Sequence, residues 1–251
     1  DDAEGRGRAA GDRSNHAGGG GSAFFVRRGR RQRLLPSGGR TGRGMPHLRY
    51  NELERATNRG EPEMLSERVA SWRHVFKLDP NRAISDGALD RICRSGTDAV
   101  IIGGTDGITF ENTWELLKRV RRYDVPCYQE VSTKSAVIPE FDGFLIPVVL
   151  NAEDPRWLIG AHHEAIRLYG RYIPWERVVP EGYVVLNPDS RVARLTKARS
   201  SLSEEEVTAY ARLAEHLFRM PVVYVEYSGR YGDPRLIRAA RAGIVRSRLF
   251  Y

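Results

Sequence analysis

From residue 70 onward, short apolar runs alternate with stretches whose apolar residues recur at helical spacing. Residues 72–78 read as a strand. Ser85 is placed to cap a short helix over 85–94, with Gly96 just past its end. Residues 99–102 are apolar without a break, as in a strand buried on both faces. Trp114, Leu117 and Val120 mark a helix over 112–123, and residues 126–131 and 144–150 are the next strands. Asp154-Pro155 is an N-cap followed by proline at the first helical position, in a helix that Gly170 closes. Residues 183–186 are strand-like, and Ser203 with Glu206 forms a capping box for a helix running to about residue 219. Residues 222–226 make a sixth strand, Asp233-Pro234 starts a last helix, and residues 248–251 begin a seventh strand.

Strand–helix alternation of this kind predicts a parallel sheet with crossover helices. Reactive residues cluster at the C-terminal ends of its strands: Lys77 and Asp79 after the first, Gly103-Gly104-Thr105-Asp106-Gly107 after the second, Glu226 and Ser228-Gly229 after the sixth. A (β/α)8 barrel builds its active site at those ends, whereas a doubly wound sheet uses them only at a switch point. The pattern favours an α/β fold of the TIM (β/α)8 type, incomplete at about six and a half units. Residues 132–142 contain Pro139 and are too few for a proper third helix, so an irregular segment is expected in its place.

Charge changes the picture once it is located. The chain has 251 residues and a net charge of +8, but residues 1–65 alone hold 13 arginines against 8 acidic residues, with 13 of the 25 glycines. That stretch cannot bury enough apolar surface to offset its ordering entropy. A disordered extension over 1–65 and a catalytic domain over 66–251 are therefore expected, with Met64, ahead of Met45, as a sensible natural start. Arg27, Arg28, Arg30, Arg31 and Arg33 are where RNA or anionic lipid would bind on a non-enzymatic reading; a solvated tail and no nucleic-acid partner is the preferred one. Two cysteines without CxxC spacing argue for a reduced, cytoplasmic protein lacking a disulfide framework or zinc site. No apolar run approaches a membrane span.

The run Tyr224-Val225-Glu226-Tyr227-Ser228-Gly229 carries the most chemistry. Alternation puts Tyr224, Glu226 and Ser228 on one face, and a carboxylate between two hydroxyls suits a polar ligand better than a core. Glu226 is the candidate base, with Tyr224 and Ser228 as donors; a structural hydrogen-bond network is the competing account. Lys77 can neutralise a phosphate or serve as an ordinary strand-end cation. Asp79 can ligate Mg²⁺ with substrate phosphate, or simply cap a turn before Asn81. The glycine-rich run has neither GxGxxG nor a Walker lysine, so a nucleotide site is poorly supported. Asn187-Pro188-Asp189 reads as a turn. Adjacent His162 and His163 point to different sides of a helix and cannot form an i, i+4 metal pair.

Several segments together carry a family likeness: Trp72-Arg73-His74-Val75-Phe76-Lys77-Leu78-Asp79-Pro80, Ser95-Gly96-Thr97-Asp98-Ala99-Val100-Ile101-Ile102-Gly103-Gly104, Val120-Arg121-Arg122, Ile146-Pro147-Val148-Val149-Leu150-Asn151, Glu181-Gly182-Tyr183 and Tyr224 to Gly229. In order and without large gaps, they resemble the geranylgeranylglyceryl/heptaprenylglyceryl phosphate synthase family of the bacterial PcrB type. The resemblance implies a TIM barrel with an irregular third helix, and Mg²⁺-dependent transfer of a prenyl group from its diphosphate to sn-glycerol 1-phosphate. By the same resemblance, Lys77 contacts the glycerol phosphate, Asp79 and Thr105 bind Mg²⁺, and Tyr224, Val225, Glu226, Tyr227, Ser228 and Gly229 cradle the glycerol. Ala165 occupies the position that limits prenyl length, and its small side chain implies a heptaprenyl donor. A homodimer is implied, and the lipid substrate implies transient contact with a membrane surface. Family members are expected to continue past Leu249-Phe250-Tyr251 with a glycine-rich loop and an eighth unit. The chain as written is therefore expected to leave a sheet edge exposed and to bind glycerol phosphate poorly. Another phosphate-handling barrel, such as an isomerase or aldolase, is the alternative enzyme.

Overall fold

The computed structural model describes residues 64–251; the extension expected over 1–65, its arginine cluster included, lies outside them up to residue 63. Seven strands form one parallel sheet in sequence order: β1 (Val75–Leu78), β2 (Ala99–Ile102), β3 (Cys127–Glu130), β4 (Phe144–Val149), β5 (Val178–Val185), β6 (Val222–Glu226) and β7 (Arg248–Phe250). The strands are rich in valine and isoleucine, whose branched side chains suit a pleated, buried surface. Helices α2 (Asp86–Cys93), α3 (Phe110–Val120), α4 (Gly160–Tyr169), α5 (Arg191–Thr196), α6 (Glu204–Arg212) and α7 (Pro234–Ala242) supply crossovers. The predicted caps form: Ser85 and Ser203 accept from Ala88 and Glu206 backbone N–H groups, and Glu206 returns the bond to Ser203.

Alternation along the strands separates two environments. Outward residues such as Val100, Ile102, Val223 and Val225 pack against the helices. Inward residues at the base, among them Ala99, Ile101, Leu145, Val179 and Val222, pack on a helix that the sequence pattern did not announce. This helix, α1 (Leu65–Ser71), buries Leu65 and Val69; Met64 and Leu65 thus belong to the folded unit rather than to the extension. Trp72, expected to open the first strand, instead caps α1 and lies 4.9 Å from Tyr128 and 6.3 Å from Phe250 between ring centroids. A β7 ring stacked on a residue just before β1 shows that the sheet curls into a TIM-barrel-like half-barrel. Among the described residues β1 and β7 do not pair and remain its edges.

Other differences have local causes. Between β3 and β4 the chain makes one 3₁₀ turn, Lys134–Ala136, as expected of the irregular third unit. The helix anticipated from Asp154 begins as a 3₁₀ turn, Pro155–Trp157, before α4 starts at Gly160. Strand β5 starts five residues earlier than its apolar run, since Val178 to Gly182 pair with β4. The helix after Ser203 widens into a π-turn at Leu213–Leu217.

That π-turn buries Glu215, whose carboxylate accepts backbone N–H groups of Val245, Arg246 and Ser247 at 2.7–3.0 Å. Desolvation would raise its pKa, but these donors outweigh it and lower the value to about 2. The carboxylate therefore holds the turn that launches β7. Glu215→Gln should lower stability by about 2 kcal/mol at neutral pH. Because the folded pKa is depressed, the advantage over the variant should be complete above the ordinary glutamate range and vanish as pH falls towards 2. Urea denaturation of both chains at pH 7 and at pH 3 checks this.

Candidate active site

Inward positions of β1, β3, β5 and β6 meet above the apolar base. Register sets Tyr183 of β5 opposite Tyr224 of β6, and Val185 opposite Glu226; β1 brings Lys77 to the same level. The Lys77 ammonium lies 2.7 Å from Glu130 Oε1 and 3.8 Å from Glu226 Oε2, and donates to Tyr183 Oη at 3.0 Å. It also sits 5.2 Å from the Tyr224 ring centroid and 5.6 Å from that of Tyr183. The two rings meet edge to face at 4.6 Å. Tyr183 in turn donates to Glu130. Glu226 accepts the backbone N–H of Ser228, whose φ of 52° folds the chain back over the strand end.

Glu181 lies one inward step below Tyr183, buried, with Oε2 lacking a hydrogen-bond partner. Burial first, then the negative field of Glu130, pushes its pKa well up, with Lys77 only partly offsetting them. Desolvation pulls Lys77 down, yet the nearby carboxylates, Glu130 above all and then Glu226, win and its pKa rises. Tyr183 and Tyr224 are pushed up, first by burial. The polar layer thus holds a firmly protonated lysine and a glutamic acid kept towards its neutral form.

Asp79 sits at the rim. Its Oδ1 accepts the Asn81 backbone N–H at 2.9 Å, and Oδ2 lies 3.5 Å from Arg82 Nε. A Cβ on Gly104 would stand 2.7 Å from Oδ1, so glycine is what lets the carboxylate close over the β2 tip. Gly103 does the same for Glu130, whose Cβ would be 2.7 Å away. Thr105 follows directly in that loop. Among the described residues no group of three or more His, Cys, Asp or Glu could hold a metal. One carboxylate beside a hydroxyl fits Mg²⁺ completed by water and substrate phosphate rather than a protein cage.

All of this opens into one cavity of about 2230 Å³, lined by Lys77, Asp79, Thr105, Tyr224, Glu226, Ser228 and Gly229. The cavity continues over the outward face of β4 and β5, along Ile146, Val148 and Val178, to Ala165 and Ile166 of α4. With no third helix to cover them, Ile146 and Val148 are only half-buried. The structure therefore brings together every expected site residue except two side chains. Val225 is buried in the same outer core as Ala239 and Ala240, and Tyr227 packs against that core, so neither side chain joins the layer around Lys77. Glu130, Glu181 and Tyr183 join the layer with no role expected from the sequence. Their signal was available in a carboxylate at the end of the otherwise unremarkable strand Cys127–Glu130, and in Glu181 and Tyr183 sharing strand parity.

Comparison with known proteins bears on the fold and the family. A heptaprenylglyceryl phosphate synthase of Geobacillus kaustophilus is 50% identical over 185 residues, covering 74% of this chain and 77% of that protein. One of the same name from Anoxybacillus flavithermus is 53% identical over 183 residues, covering 73% and 79%. The crystal structure of (S)-3-O-geranylgeranylglyceryl phosphate synthase from Thermoplasma acidophilum, in complex with sn-glycerol-1-phosphate, superposes with a TM-score of 0.60. It covers 74% of this chain and 77% of that one at 22% identity, a likeness of fold. Residues 67–251 match the PcrB family, and this chain belongs to it.

Proposed function

We propose that the protein transfers a heptaprenyl group from its diphosphate to sn-glycerol 1-phosphate, forming an ether, with Mg²⁺ bound at Asp79 and Thr105. The observation that carries this reading is one cavity joining a polar layer around Lys77 and Glu226 to an apolar groove beside α4. Few substrates need both: a small phosphate at one end, a long hydrocarbon at the other. The relatives named above bear names of that activity.

The residues divide the work by type. Lys77 has three ammonium hydrogens, two of them taken by Glu130 and Tyr183, which leaves one for an anionic ligand. Glu226 stands ready to accept the proton of the glycerol hydroxyl as that oxygen bonds to the allylic carbon. The carbon–oxygen bond to diphosphate breaks with its electron pair leaving on the diphosphate. When bound, Mg²⁺ would neutralise that developing charge as a Lewis acid. Glu181 in its neutral form adds no third negative charge beneath the incoming phosphate. The groove along Ile146, Val148 and Val178 orients the hydrocarbon and excludes water.

Purified chain supplied with heptaprenyl diphosphate, Mg²⁺ and sn-glycerol 1-phosphate at a concentration high enough to offset weak binding should yield heptaprenylglyceryl phosphate; absence of ether product would refute the reading. Glu226→Gln should lower kcat by about a thousandfold while the protein melts within a few degrees of the parent, as expected for loss of a general base. Ala165→Trp should cut kcat/KM for the heptaprenyl donor at least about tenfold and spare a geranylgeranyl donor, because an indole would fill the far groove. Equal losses on both donors would place the chain-length limit elsewhere.

A further inference from the structure

Helix α4 is unusual for a water-soluble face. None of its ten residues is buried, although it carries Ile166, Leu168 and Tyr169, all exposed. The exposure extends beyond it: Ile159 is 65% and Tyr172 76% accessible, and Leu158 and Trp175 are also open to solvent. These residues surround the mouth of the apolar groove, which several of them help to line. A contiguous apolar and aromatic surface of this kind calls for a covering partner. Its chemistry selects one. Tyrosine and tryptophan favour the boundary between hydrocarbon and water. Between residues 156 and 176 the charges are Arg156, Arg167 and Arg171 against Glu164 and Glu176. Lys134 joins them from β3's loop, 2.8 Å from Glu164, with Arg156 3.9 Å away on its other side. Glu164 is thus spoken for, and Arg167 and Arg171 leave the face net positive. No described helix is long and apolar enough to cross a membrane.

We infer that the face formed by α4 and the turn after it, centred on Leu168, Arg167, Arg171 and Tyr172, docks peripherally on an anionic lipid bilayer, aligning the groove mouth with the hydrocarbon. This rests on the prenyl-transfer reading. A long prenyl diphosphate resides in the bilayer with its charged head at the interface. A groove that opens against that interface lets the chain slide from lipid into protein without exposing its hydrocarbon to water. The arginines would meet lipid phosphates, and the tyrosine and leucine would enter the headgroup boundary.

The test uses the full chain and the variant Arg167→Glu/Leu168→Ser/Arg171→Glu, three positions that do not line the cavity. Sedimentation with phosphatidylcholine vesicles containing 30% phosphatidylglycerol, a composition of about that charge giving a negative surface potential, reads binding without turnover. The parent should bind, and the variant should bind at least about fivefold more weakly. Turnover is then measured with a heptaprenyl donor embedded in the same vesicles and with a short, detergent-dispersed donor. The variant should lose about tenfold on the first and match the parent on the second. Equal vesicle binding by both chains would overturn the proposal, assigning the affinity to another part of the molecule. A variant whose oligomeric state alone changes, by light scattering, would overturn it in favour of a contact between copies of the chain. Vesicle binding decides the docking face by itself, whereas failure of the parent on the short donor would count against the transfer reaction.

Discussion

An ammonium held inside a barrel among carboxyl groups constrains the rest of this molecule. Lys77 can remain charged there only because Glu130, Tyr183 and Glu226 surround it, and those partners arrive from β3, β5 and β6. Removing Glu130, which lies 2.7 Å from the ammonium, would leave that half-buried charge without its main compensation. The register of the whole parallel sheet is therefore tied to one cluster. A slip of one residue along β5 or β6 would send Tyr183 or Glu226 to the outer face and strand the lysine.

The same alternation that builds the polar layer also builds the hydrocarbon groove. Each of β4 and β5 has an inward face committed to the base and the polar cluster, and an outward face that a helix would normally cover. Ile138 and Phe141 from the irregular third unit cover the lower part of that outer face, and α4 stands off from the remainder. A missing helix thus leaves an apolar groove open. Polar and apolar ends of one cavity arise from opposite faces of adjacent strands, joined at the C-terminal rim where Asp79, Gly104 and Thr105 lie.

Glycines mark the places where this arrangement is tightest. Gly103 and Gly104 admit Glu130 and Asp79 at distances no larger side chain would permit. Their role is close approach rather than a left-handed backbone, which belongs instead to Ser228 and Gly229 at the end of β6. Sequence alone suggested a loop with phosphate or metal chemistry there; the contacts show that its first task is to let two carboxylates close in from neighbouring strands.

Much of the fold was legible because it follows from local rules. Period-two and helical spacing, the Ser85 and Ser203 caps and the proline at Asp233-Pro234 each state their element within a few residues. The same alternation placed Tyr224 and Glu226 on one face, and Lys77 with Asp79 at one strand end. What the chain could not disclose is which distant residues share a layer. Glu130 and Glu181 look like ordinary strand carboxylates until curvature brings β1, β3, β5 and β6 around one lysine. Val225 and Tyr227 look like neighbours of the site until the barrel assigns their side chains to the outer core. Helix α1 escaped notice because its burial comes entirely from the barrel base it closes. Residue order determined which side each side chain takes; only the closing of the sheet decided what it meets there, since strand parity is local while proximity across a barrel is set by register and curl.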